Sequence, residues 1–163
     1  NFNNLNFNMM SDDTDGAEQS DLSFALNYTH DFNGQFMAGL TYISKKETTD
    51  GDVDAGSMTT TGVHFFYNLS GKVLGSYAGL RYHMHAYADD AGSTAGFGND
   101  GDAQTDIILE YGHRFGLGKL AGVHWAWVPT ISYAMSTSNE ENADVDVKTT
   151  TLTWTPVNFN VIF

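Results

Sequence analysis

Cysteine is absent from the chain, so no disulfide and no thiolate site can form. Cationic side chains are scarce: seven Lys and Arg stand against 20 Asp and Glu, a net charge of −13. That balance argues against nucleic acid as a partner. No run approaches 18 consecutive apolar residues, which excludes a transmembrane helix. Leu, Ile and Val are sparse for a soluble core. No basic stretch followed by an apolar segment precedes Asn1, so the expectation is a cytoplasmic chain or a mature form whose signal peptide has been removed. Proline occurs only at positions 129 and 156.

What the chain does have is glycine, threonine and aromatics, a mixture suited to strands and turns. Apolar residues recur with period two, the mark of strands with two unlike faces. Leu22, Phe24, Leu26 and Tyr28 alternate with Ser23, Ala25, Asn27 and Thr29. The pattern returns at Phe36–Tyr42, Val63–Tyr67, Ala78–Ala86, Ile107–Phe115, Val123–Met135 and Val157–Phe163, and more weakly at Leu5, Phe7 and Met9. These runs predict eight strands in one domain spanning residues 1–163. Pro129 and Pro156 fall inside the last two, where each implies a bulge or a misplaced boundary.

Tight connections (31–34, 68–72, 116–119) alternate with long ones (11–20, 46–57, 88–104, 136–147). All but three of the 20 acidic residues, Asp31, Asp106 and Glu110, lie in or beside the long segments. In an up-and-down meander every long, acidic loop then falls at one end and every tight turn at the other. A soluble lipocalin-like barrel would point the apolar set inward around a ligand, and a membrane barrel would point it at lipid. Segregated loops, strands long enough to cross a bilayer at a tilt, and aromatics near strand ends favour the membrane form.

The final run VNFNVIF, with Val157, Phe159, Val161 and Phe163 at alternate positions, resembles the C-terminal strand of bacterial outer-membrane β-barrel proteins. The whole chain is similar in layout to the small eight-stranded members, the OmpA transmembrane domain and OmpX. The resemblance implies an all-β, eight-stranded antiparallel up-and-down transmembrane barrel in a bacterial outer membrane. It also implies a terminal signal read by the barrel-assembly machinery, and lipid and lipopolysaccharide as neighbours.

With the apolar set outward, parity sends His64, Arg81, His83, His85, Asp106, Glu110, Arg114 and His124 inward. Across a hairpin through 88–104, Arg81 is expected opposite Glu110 and His85 opposite Asp106. Buried charges need such partners, so these residues read as a side-chain plug, with a narrow ion pore as the alternative. Gly39, Gly62, Gly75, Gly79, Gly112 and Gly122 also face inward by parity, with Phe66, Tyr77 and Trp154 as fillers. Catalysis is not expected. His124 and Ser132 lie about 26 Å apart along one strand at about 3.3 Å per residue, and neither Gly-x-Ser-x-Gly nor His-Glu-x-x-His occurs.

Asp50, Asp52 and Asp54 alternate as at the start of an EF-hand loop, but Ala55 and Thr61 stand where its Gly and Glu belong. They form a weak metal candidate, and no cofactor is expected. The expected role is therefore non-enzymatic: envelope structure, or surface interaction with an extracellular partner through the acidic loops.

Overall fold

The computed structural model describes residues 3–14, 19–49, 53–71, 74–88, 103–139 and 147–162. Ten strands account for nearly all of them: β1 (Asn3–Thr14), β2 (Gln19–Asp31), β3 (Phe36–Thr49), β4 (Val53–Asn68), β5 (Gly75–Ala88), β6 (Ala103–Leu120), β7 (Val123–Trp127), β8 (Thr130–Asn139), β9 (Val147–Thr155) and β10 (Phe159–Ile162). All ladders are antiparallel and the sheet is curled into a half-barrel.

The two prolines explain why ten strands stand where eight were expected. Proline donates no backbone hydrogen bond. One expected strand is accordingly divided into β7 and β8 around Val128–Pro129, and another into β9 and β10 around Pro156–Asn158. The two interruptions lie side by side and satisfy each other. Val128 N donates to Asn158 O at 2.8 Å, and the Trp127 indole donates to Pro156 O at 2.7 Å.

Consecutive strands pair from β1 through β6. Long β6 then splits its second edge, pairing β8 through Ala103–Gly112 and β7 through Phe115–Leu120. β7 pairs β10, and β10 pairs β1 at Asn4↔Ile162 and Leu5↔Val161. β9 pairs β8, and among the described residues no ladder joins it to β1.

Several expected connections are shorter than the sequence pattern suggests. Residues 11–20 and 46–57 are largely strand, because β1–β2 and β3–β4 continue their ladders to Thr14↔Gln19 and Thr49↔Val53. Polar residues there keep the alternation of a ladder without its apolar signal, so composition alone reads them as loop. The turn expected at 116–119 is instead a bulge, with the register slipping between Gly116 and Gly118. The chain reverses at Ala121–Gly122, both at positive φ (52° and 86°), the geometry of a two-residue hairpin turn. Gly122 therefore sits in a turn and not in the interior. At the 31–34 turn, Asp31 Oδ1 accepts from Gly34 N at 2.7 Å and Asn33 Oδ1 from Phe36 N at 2.8 Å, so each side chain stands in for a ladder partner.

The faces divide as parity requires. Leu40, Phe65, Leu80, Leu109, Tyr133 and Phe159 are exposed on the convex side, while Thr41, Thr60, His64, His83, Arg114 and Asn160 are buried on the concave side. Trp154, expected as an interior filler, is 61% exposed beside Leu152 on the convex side. The cause is Pro156: outward positions run 152 and 154 before it and 157 and 159 after it, a slip of one residue.

Candidate functional site

The concave face holds a stack of polar and aromatic side chains in three tiers. Glycines make room for them. Gly39, Gly62, Gly79 and Gly112 are the Cα partners of His64, His83, Phe66 and Tyr77 respectively. A Cβ at any of the four would collide with the ring opposite. Each glycine lets a ring from the neighbouring strand lie flat over the backbone, as aromatic residues do over strand glycines generally.

Nearest the tight turns, Arg114 is 3% exposed. Its Nη1 donates to Asn68 Oδ1 at 2.8 Å, and its guanidinium lies 4.0 Å from the Tyr77 ring centroid. Asn68 in turn donates to Gly34 O at 2.9 Å, tying the tier to the first tight turn. Met37 is buried against the same guanidinium.

The middle tier centres on Arg81 and Glu110. Arg81 Nε donates to Glu110 Oε2 at 2.8 Å and Nη2 to Oε1 at 3.2 Å, while Tyr77 Oη donates to Oε1 at 2.8 Å. Such a bidentate, hydrogen-bonded arrangement is what makes a buried ion pair tolerable. Phe66 packs beneath, with the Arg81 guanidinium 4.9 Å from its ring centroid. Beside this pair the fully buried His64 sits between Thr29 Oγ1 at 2.8 Å and Thr41 Oγ1 at 3.4 Å. A cavity of about 80 Å³ lies between the two arginines, bounded also by Asn27, Thr29, Asn158 and Asn160. That is room for a few waters and not for a sugar.

The third tier, towards the 88–104 connection, joins His83, His85 and Asp106. His85 Nε2 lies 2.8 Å from Asp106 Oδ2, Thr60 Oγ1 lies 2.7 Å from His85 Nδ1, and Gln104 Nε2 donates to Asp106 Oδ1 at 2.9 Å.

Both expected side-chain pairs therefore form, but not in the expected register. The Cα partner of Glu110 is Gly79 and that of Arg81 is Ile108; His85 faces Gln104, and Asp106 faces His83. Each pair reaches diagonally, two residues along the neighbouring strand, within the range of long side chains. Of the eight interior candidates, seven are buried or half-buried on the concave face where parity puts them. His124 keeps the inward parity but is exposed, beside the Ala121–Gly122 turn and opposite Lys119 and Ile162, because inward parity at a sheet's rim points into open space. Met37, Thr41, Thr60, Asn68 and Asn160 were not singled out by their chemistry, although the same parity that marked His64 marks them.

In the terminal run, Val157 and Phe159 are exposed, Val161 is half-buried, and Phe163 lies outside the described residues. Asp50 and Asp52 also lie outside them, and Asp54 occupies a β4 position opposite Thr48. Compared with protein-family models, with curated proteins and with solved structures, the chain matches none.

Proposed function

We propose that this chain is an integral protein of a bacterial outer membrane, a closed eight-stranded antiparallel barrel whose lumen is plugged by its own polar side chains. It acts without catalysis, in envelope structure or in surface interaction through its acidic loops. The observation that carries this reading is the inversion of its faces. Leu40, Phe65, Leu109, Tyr133, Leu152 and Phe159 are 41–69% exposed on the convex side, where water would make so large an apolar surface a liability. Lipid makes it the expected surface. A soluble ligand-binding barrel needs the opposite arrangement.

The ladders β1–β10, β10–β7 and β5–β6 support closure, since they link the first strand to the last and both to the middle of the sheet. Aromatics near the tight turns support a membrane interface. Phe36 and Tyr67 meet edge to face at 5.1 Å, and Phe115 stacks on Trp127 at 5.0 Å. The Arg81–Glu110 tier and the small cavity beneath it favour a plug over a conducting path.

Fractionation of a Gram-negative host expressing the chain behind a signal peptide tests the reading. Recovery in outer membranes, with release only by detergent, is expected; release by salt or alkali would remove it. Single-channel recording of refolded protein separates plug from pore: silence is expected, and a steady conductance altered by Glu110→Ala would establish the pore.

A further inference from the structure

The third tier contains more donors than a structural plug requires. His83 and His85 alternate on β5, so both rings point to the concave face, and Asp106 on β6 is the Cα partner of His83. Each of the three offers one ligand atom, and these atoms lie within 4.8 Å of one another. His83 is 8% exposed, and its Nε2 has no hydrogen-bond partner among the described residues. A buried imidazole nitrogen left unsatisfied is costly. Here it stands beside two further ligand groups.

We propose that His83, His85 and Asp106 bind a divalent transition-metal ion of the zinc class. Two imidazoles and a carboxylate suit zinc, copper or nickel and are a poor match for calcium or magnesium, which prefer all-oxygen sites. Three protein ligands with a fourth position open to water is a common zinc arrangement. Ligand atoms around a tetrahedral zinc at about 2.0–2.1 Å stand roughly 3.3 Å apart. Closure from the present spacing therefore takes a small rotation of the His83 ring, over the space that Gly62 leaves for it.

The supporting contacts already hold the other two ligands. Thr60 Oγ1 engages His85 Nδ1, leaving Nε2 for the metal, and Gln104 engages the far oxygen of Asp106. Such partners orient ligands in known sites. The proton now shared between His85 Nε2 and Asp106 Oδ2 leaves to solvent when the cation takes its place. Nor does Arg81, one step deeper, oppose the ion with an unbalanced charge, since Glu110 neutralises it. None of this depends on what surrounds the convex face.

The test uses the full chain refolded in detergent micelles and titrated with ZnCl2 in a calorimeter, then with CuCl2 and followed by EPR. One equivalent of zinc is expected to bind, and copper should show hyperfine coupling to two imidazole nitrogens. His83→Gln and Asp106→Asn should each weaken binding at least about 100-fold, more than loss of an orienting partner costs. Asn substitutions at Asp50, Asp52, Asp54, Asp89, Asp90, Asp100 and Asp102 together, and His124→Ala, should leave the stoichiometry unchanged. For a readout that needs no substitution, imidazole NMR of the unaltered chain should show zinc moving the signals of two of its six histidines. Absence of the single equivalent, its survival in His83→Gln, its loss on neutralising the loop acids, or movement of a different set of histidines would each overturn the proposal.

Discussion

Arg81 bypasses its own Cα partner, Ile108, and reaches diagonally to Glu110, whose two carboxylate oxygens it bonds at 2.8 and 3.2 Å. Tyr77 caps the same carboxylate, so neither charge is left to the apolar rings below. Glu110→Ala strands a buried guanidinium and is expected to cost about 3–5 kcal/mol. The double substitution Arg81→Met, Glu110→Leu should cost much less, since no lone charge remains. Denaturant unfolding of protein refolded into lipid vesicles measures both. If the double variant is as unstable as the single one, the pair is not an isolated ionic unit.

Gly62 is predicted to be intolerant of even a methyl group. Alanine in a strand is ordinarily favoured over glycine by about 0.5–1 kcal/mol, yet a Cβ here meets the His83 ring and the Tyr82 carbonyl. Gly62→Ala should destabilise by about 1–3 kcal/mol, the usual range for overpacking. A neutral or stabilising result in the same unfolding assay would show that the ring has somewhere else to go.

Leu109 tests which solvent the convex face meets. It is 50% exposed between Leu80 and Tyr133 on the neighbouring strands. In lipid, Leu109→Arg should cost about 2–4 kcal/mol if this level lies near the bilayer midplane. In water an exposed leucine-to-arginine change should stay within about 0.5 kcal/mol. The two ranges do not overlap, so one stability measurement in vesicles separates them.

Ala121 occupies a left-handed position, φ 52°, in the turn between β6 and β7. Residues with a Cβ pay about 1–2 kcal/mol there, and Asn pays less than Ala. Ala121→Asn should therefore stabilise the protein by up to about 1 kcal/mol. A loss of stability would argue that the reversal is set by contacts elsewhere.

Nitroxide labels at Asp13 and Leu152, introduced through cysteines into a chain that has none of its own, probe the seam between β1 and β9. The two positions share the outward face and fall opposite each other when the β1–β10 register is continued past Pro156. Neighbouring strands lie about 4.8 Å apart, so a closed ring brings the labels close enough for strong dipolar broadening. Narrow spectra, unchanged by dilution with unlabelled protein, would leave the sheet a half-barrel.

Period-two alternation determined the all-β class, the order of the hairpins, and which side chains share a face, because a strand's side-chain direction depends only on its own backbone. That local rule gave both face and burial for seven of the eight interior candidates. It failed at Pro156, where a one-residue slip turned Trp154 outward, and at the rim it gave the direction of His124 but not burial, because nothing lies across from it there. Polar strand ends such as Ser11–Thr14 carry no apolar signal, so their ladders were invisible until their partners were known. Register was decided by the tertiary structure alone. A two-residue shift leaves every face unchanged while choosing new neighbours, and it is this shift that makes Asp106 the partner of His83 and sets Arg81 diagonal to Glu110.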